Sequence, residues 1–272
     1  MESPAEPPDK PPRRKANRLD GKRWIQNSIS VWGDIRKSPE ELKLKHPAMF
    51  PGQLVDRLID SFLPPAGRMV LDPFSGSGST VCAAARMGLQ GIGLELSPEY
   101  VRLGRDRLAA IGPTTDCEIH QSSAFDVGQY VAPGSVDLCI TSPPYWNILN
   151  QKRTADLKSV RHYGNLPADF GTIDDYELFL EALARVFQEV LVALKPRAYC
   201  CVVVMDLRKR DQFFPFHSDL ATRLKGVGYK YDDLLIWNRQ SEYNNLRPLG
   251  YPSVFRVNKV HEFVLLMQKP AD

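Results

Sequence analysis

The densest chemistry in this chain lies in four consecutive residues, Ser142-Pro143-Pro144-Tyr145, directly after the apolar run Val136 to Ile140 and Thr141. Proline fixes φ and has no N–H, so two in a row stiffen a corner and leave local carbonyls free to accept from something else. The Ser142 hydroxyl oxygen and the Pro143 carbonyl, aimed at one point, can take both hydrogens of an –NH2 group. The Tyr145 ring can then stack on the ring that bears the amine.

A second constellation lies upstream. Val70-Leu71-Asp72 runs into Pro73-Phe74-Ser75-Gly76-Ser77-Gly78, followed by Ser79-Thr80 and an alanine-rich stretch. The pattern is strand, tight turn, helix. Its glycines allow close approach of a ligand, and its helix start offers unpaired N–H groups. Glu95 ends the next apolar run, Gly91 to Leu94, where a carboxylate can accept from both hydroxyls of a ribose. The pair therefore reads as a site for an adenosine-bearing cofactor. No lysine follows Gly78, which excludes a P-loop. Val81 stands where a dinucleotide fingerprint needs a small residue, and it is expected to keep strand and helix apart. Alone, a GxG turn could be only a tight connection.

These residues need a scaffold. Helical spacing is expected after Phe50 (Leu54, Val55, Leu58, Ile59, Phe62), over 79–87, from Ser97-Pro98, over about 176–194, and more weakly over about 218–225. Strands are expected at 69–71, 91–94, 117–120, 136–141, 199–205, 234–237 and 263–267. Strands alternating with helices predict an α/β, doubly wound, mostly parallel sheet. Such sheets bind ligands at the carboxyl ends of their strands, where both constellations fall.

Taken together, the motifs resemble the DNA amino-methyltransferases that modify cytosine N4 or adenine N6. Ser142 to Tyr145 matches their [D/N/S]PP[Y/F] target motif, and Asp72 to Thr80 matches their cofactor loop. His46-Pro47-Ala48-Met49-Phe50-Pro51 is similar to their HPxxFP segment, with Ser30-Val31-Trp32 as its lead-in. Ile236 to Arg239 and His261 to Leu265 look like the family's last two core strands. The resemblance covers roughly residues 28–270. It implies a Rossmann-like class I methyltransferase fold with an antiparallel C-terminal strand, and S-adenosyl-L-methionine as cofactor. It implies cofactor contacts from His46, Pro47, Phe50, Pro51, the loop Asp72 to Gly78, Thr80, Glu95, Leu96, Ser123 and Ala124. Ser142, Pro143, Pro144 and Tyr145 would act on a base flipped out of double-stranded DNA. The tyrosine would act through its ring face, so that Tyr145→Phe would be mild. Serine at the first motif position leans toward cytosine N4, with adenine N6 as the alternative.

Two departures stand out. The cofactor half precedes the target half, a permutation relative to many relatives. The loop Gln121-Ser122-Ser123-Ala124-Phe125 lacks the usual acid or asparagine for the adenine ring. RNA and protein-amide methyltransferases share the corner motif. From another class, a non-catalytic nucleic-acid-binding partner could keep the fold.

The remaining features fit one catalytic domain over residues 24–272, after a basic, proline-rich tail over 1–23 that is expected to be disordered. Target-side insertions are expected at about 147–174 and 240–259. Lys152, Arg153, Lys158 and Arg161 in the first, and Arg208-Lys209-Arg210 after the strand ending near Asp206, are candidate phosphate contacts. The formal net charge of +3 decides little alone. The five cysteines form no CxxC pair, so no metal site is expected. No apolar run could span a bilayer. A cytoplasmic enzyme, with a cognate restriction endonuclease as a possible partner, is the resulting expectation. Oligomeric state is left open.

Overall fold

A computed structural model describes residues 15–43, 49–112, 116–146, 170–242, 246 and 248–271. In chain order they form α1 (Gly21–Asn27), β1 (Val31–Trp32), α2 (Pro39–Lys43), α3 (Gly52–Phe62), β2 (Met69–Asp72), α4 (Ser79–Arg86), β3 (Gln90–Glu95), α5 (Pro98–Ala109) and β4 (Cys117–Gln121). There follow α6 (Val127–Tyr130), β5 (Val136–Thr141), α7 (Tyr176–Ala193), β6 (Leu194–Val204), β7 (Leu207–Lys209), β8 (Gln212–Phe214), α8 (Phe216–Val227), β9 (Lys230–Asn238) and β10 (His261–Gln268).

One sheet organises the chain, in the order β1-β9-β10-β6-β5-β2-β3-β4. The run from β6 to β4 is parallel. β10 lies antiparallel to both β6 and β9, which is the antiparallel C-terminal strand the sequence implied. Buried strands alternate their side chains between two cores. On β5, Leu138 and Ile140 face one core with α3, α4 and α5, while Cys139 faces the other with α6, α7 and α8. Covering both faces explains why β5 is apolar nearly throughout.

From β2 the chain winds outward to β3 and β4. From β5 it winds the other way to β6. The reversal between β2 and β5 is the switch point where an open α/β sheet forms its crevice.

Several boundaries differ from expectation. The tail expected over 1–23 is too long at its C-terminal side. Asp20 caps α1 by accepting from the Arg23 N–H at 2.8 Å, and buried Asn17 donates to the Ser61 carbonyl at 2.9 Å. Arg18 donates to the Pro65 carbonyl. The Asn17 and Arg18 side chains satisfy carbonyls in and beyond the last turn of α3, a role that apolar periodicity does not reveal. β6 starts at Leu194 rather than 199, with Arg197 at φ 65° and an irregular register against β5. The β7–β8 hairpin was not anticipated, because strands of three residues carry no periodic signal.

Candidate active site

The turn after β2 packs directly on β3. Gly76 and Gly78 have φ of 53° and 80°, conformations that favour glycine. A Cβ at Gly78 would lie 2.7 Å from Ile119 Cδ1, and one at Gly93 would lie 2.5 Å from Ser75 Oγ and 2.8 Å from Val81 Cγ2. Val81 was expected to hold strand and helix apart. Instead Gly91 and Gly93 on the strand make room for it, so the contact closes with the small residue on the opposite partner.

Asp72 is fully buried behind this turn. Its Oδ1 accepts from Thr141 Oγ1 at 2.6 Å and from the Phe74 N–H at 3.1 Å, and its Oδ2 accepts from Thr80 Oγ1 at 2.7 Å. Burial outweighs these donors and pushes its carboxyl up to about 6. Asp72 thus ties β2, β5 and α4 together from behind, with its acceptor oxygens used by the protein itself. Glu95 accepts from the Gly76 N–H at 2.9 Å and the Ser97 N–H at 2.7 Å. Burial is the larger effect there too, and its carboxyl is pushed up to about 6.

The start of α4 has no side-chain cap, so its first amides remain available to an acceptor. Ser75 Oγ is buried with no protein partner. Ser79 Oγ donates to the Phe50 carbonyl at 3.1 Å, which brings the buried Phe50-Pro51 segment against the helix start. Glu41 accepts from the Gly52 N–H at 2.7 Å, and Arg107 donates to the Ser77 carbonyl at 2.5 Å. Arg107 thus braces the turn and Glu41 holds the start of α3, and the sequence did not mark either. His46 and Pro47 lie outside the described residues.

Ser123 and Ala124 follow β4. Ser123 Oγ accepts from the Phe125 N–H at 3.3 Å, and Ala124 is buried. The Phe125 ring stacks on Phe170, with centroids 5.3 Å apart, and the Arg185 guanidinium lies over it. Phe125 is thereby committed to the protein's own aromatic cluster.

At the end of β5, Ser142 and Tyr145 come together in the corner. Their hydroxyl oxygens are 3.3 Å apart. The Tyr145 hydroxyl donates to Glu262 Oε2 at 2.8 Å, and Arg239 pairs with Glu262 Oε1. Burial and the Glu262 carboxylate hold the Tyr145 phenol well above its ordinary range. The hydroxyl is therefore engaged, and Tyr145→Phe would remove a buried donor as well as preserve a ring. Glu262 is 6% exposed. An acid inside the apolar strand HEFVLLMQ is the available signal for it, but apolar patterning marks this segment only as a core strand.

Next to the corner, Trp146 donates to the Ile173 carbonyl at 2.8 Å and packs against Tyr176 and Phe214. The Lys209 ammonium sits 4.1 Å from the Trp146 ring centre, which brings the β7–β8 hairpin, with Arg208 and Arg210, beside the corner. Arg208 lies over the half-exposed Phe213 ring. Lys152, Arg153, Lys158 and Arg161 fall outside the described residues. A further pair carries no signal in the sequence: His217 Nδ1 lies 2.5 Å from Asp206 Oδ1, and its ring stacks on Phe263. Among the described residues, no cluster of His, Cys, Asp or Glu could hold a metal ion, and no helix is long and apolar enough to cross a membrane.

Comparison with known proteins adds four findings. A family described as DNA methylase, of the N6/N4 type, matches residues 2–106 and 136–272. The type II methyltransferase M2.DpnII of Streptococcus pneumoniae is 39% identical over 85 residues, 31% of this chain and 31% of its own length. The type II methyltransferase M.ScaI of Streptomyces caespitosus is 33% identical over 118 residues, 40% of this chain and 38% of its own. The matched stretches thus span about a third of these relatives. In overall shape, the chain resembles a solved structure concerned with the conversion of a disulfide bond into a thioacetal group during echinomycin biosynthesis. The TM-score is 0.50 at 15% identity, covering 86% of each chain, a likeness of fold alone.

Proposed function

Given that this chain belongs to the N6/N4 family of DNA methylases, we propose that it methylates the exocyclic amine of a base flipped out of double-stranded DNA, at cytosine N4. S-adenosyl-L-methionine is the proposed cofactor, and when bound it supplies an electrophilic methyl group on its sulfonium. One observation carries the reading. The 2.6 Å hydrogen bond from Thr141 to Asp72 joins the end of β5, where the Ser142 corner begins, to the start of the glycine turn on β2. The acceptor for an amine and the cradle for a methyl donor are thereby built as neighbours.

The residues present fit that cofactor. Glu95 offers carboxylate acceptors to ribose hydroxyls. The uncapped amides of α4 suit a carboxylate at the amino-acid end, with Phe50-Pro51 beside them. Ser75 Oγ is a buried polar atom still lacking a partner. The glycine turn from Pro73 to Gly78, Leu96, and the Ser123-Ala124 segment would complete the cradle. His46 and Pro47 belong to the same reading by sequence.

An amine on an aromatic ring is a poor nucleophile, because its lone pair is delocalised. Ser142 Oγ and the Pro143 carbonyl would take its two N–H groups and favour a pyramidal nitrogen. Pro144 stiffens the corner, and Tyr145 presents its ring to the base. The protein mainly positions the reactants. Arg208, Lys209 and Arg210 supply sequence-independent attraction to phosphates, as do Lys152, Arg153, Lys158 and Arg161. The serine at the first motif position is the reason for naming cytosine N4. The type II names of both relatives extend the proposal to host protection beside a restriction endonuclease.

Methylation-sensitive long-read sequencing of DNA from a host expressing the chain tests this directly. N4-methylcytosine in a fixed short motif is the expected result, absent in a host expressing Ser142→Ala. N6-methyladenine instead would overturn the choice of base. Absence of any mark, with methyl transfer to RNA in vitro, would overturn DNA as substrate. In single-turnover assays, Ser142→Ala should cost roughly 10²-fold, in keeping with one missing transition-state hydrogen bond.

A further inference from the structure

The donor directions in the corner follow from a count of its hydrogens. A tyrosine hydroxyl has one hydrogen, and that of Tyr145 goes to Glu262 Oε2 at 2.8 Å. In the 3.3 Å contact between Ser142 and Tyr145, the serine must therefore donate and the tyrosine oxygen accept. This fixes the Ser142 hydrogen on the protein side and leaves the serine's lone pairs for an incoming N–H. At the far end, Arg239 pairs with Glu262 Oε1 while a second guanidinium nitrogen holds Glu242 at 2.8 Å, so the carboxylate is locked in one orientation. β10 brings Glu262 opposite Trp237 of β9, on the strand that ends beside Arg239. A buried acid held by one arginine and one phenol, directly behind the corner, is poorly explained by stability alone, because buried ion pairs gain little over apolar packing.

We propose that Glu262 is the terminal acceptor of the proton lost by the methylated amine, reached through Ser142 and Tyr145. This deepens the reading of Ser142 as the amine's acceptor and rests on it. As the nitrogen–methyl bond forms, the sulfur–methyl bond breaks and its electron pair stays on sulfur. The nitrogen becomes positively charged and sheds a proton to Ser142 Oγ. The Ser142 hydrogen moves to Tyr145 and the Tyr145 hydrogen to the Glu262 carboxylate, which later releases it to water. Charge balances: one cationic sulfonium and one carboxylate become a neutral thioether and a neutral carboxylic acid. The methylated ring amine is a strong acid, because losing the proton restores its delocalisation. Glu262 and Arg239 are then positioning residues that act through Tyr145, and the relay removes the need for serine to be a base.

Glu262→Gln is the test, since the amide can still accept from Tyr145 but cannot take the proton. With unmethylated genomic DNA and saturating labelled donor, the single-turnover rate should fall on the order of 10- to 10²-fold, at the low end of general-base effects. Donor and DNA dissociation constants should stay within about threefold of wild type, as expected of a residue touching neither. Tyr145→Phe should lose a similar factor, and the double variant should lose little more, because both cut one chain. A readout without cofactor or DNA accompanies these. Ultraviolet resonance Raman difference spectra, taken against Tyr145→Phe, should show a strongly donating phenol in wild type and a weaker donor in Glu262→Gln. An active wild type with an equally fast Glu262→Gln, or losses that simply multiply in the double variant, would overturn the relay. If Glu262→Gln fails to fold by thermal melting, Tyr145→Phe alone decides, and a wild-type rate there overturns the relay. A wild-type chain that methylates no DNA would instead overturn the reading beneath it.

Discussion

Lowering the pH from 7 to 5 should weaken cofactor binding about tenfold, through Glu95. The carboxylate is held by the Gly76 and Ser97 amides, yet burial pushes it up to about 6. In the proposed site, only the ionised form can accept from both ribose hydroxyls. For a single group titrating near 6 in the free protein and well below 5 in the complex, the dissociation constant scales as one plus the ratio of protonated to ionised carboxyl. That factor is about 1.1 at pH 7 and about 11 at pH 5. Asp72 is also pushed up to about 6 but lies fully buried behind the turn, so its titration enters the free and bound states alike. Stability runs in the opposite direction. Both carboxyls bind protons more tightly in the folded protein than at their ordinary values of 3.8 and 4.5. Their contribution to stability is present below those values and lost as the pH rises through about 6. Calorimetry of S-adenosylmethionine binding across this range checks the affinity, with Glu95→Gln as the control whose pH dependence should flatten. A wild-type dissociation constant at pH 5 within about twofold of that at pH 7 would refute the role assigned to Glu95.

Gly93→Ala would drive a Cβ to 2.5 Å from Ser75 Oγ. It should cost about 1–3 kcal/mol in denaturant unfolding and loosen cofactor binding. Gly226→Ala, in α8 with nothing within 4 Å of the added carbon, should instead stabilise by about 0.5–1 kcal/mol, which isolates the packing effect from the general glycine effect. Thr141→Val removes one of the donors to buried Asp72 and should cost about 1–3 kcal/mol, read by thermal melting at pH 7. Replacing Arg208, Lys209 and Arg210 together by alanine should reduce the salt slope of DNA binding by about 0.9 for each phosphate no longer neutralised, with donor affinity unmoved in calorimetry.

The order and type of the main elements were legible in the sequence because their signals are local. The apolar run of β5, the helical spacing of α3 and α7, and the glycine turn after Asp72 each declare themselves within a dozen residues. The Ser142-Pro143-Pro144-Tyr145 corner was legible for the same reason: its stiffness and donors are set by neighbours in the chain. What the sequence could not decide were the partners of each polar atom, because these come from segments far apart. Asp72 and Glu95 read as ligand-facing acids, yet only the register of β2 between β5 and β3 turns Asp72 inward onto Thr141 while leaving Glu95 at the turn. Val81 read as an obstacle until β3 presented Gly91 and Gly93 opposite it. Tyr145 read as a ring face alone. The antiparallel insertion of β10 beside β6 brings Glu262 to its hydroxyl, a contact across 117 residues of chain that spacing cannot encode.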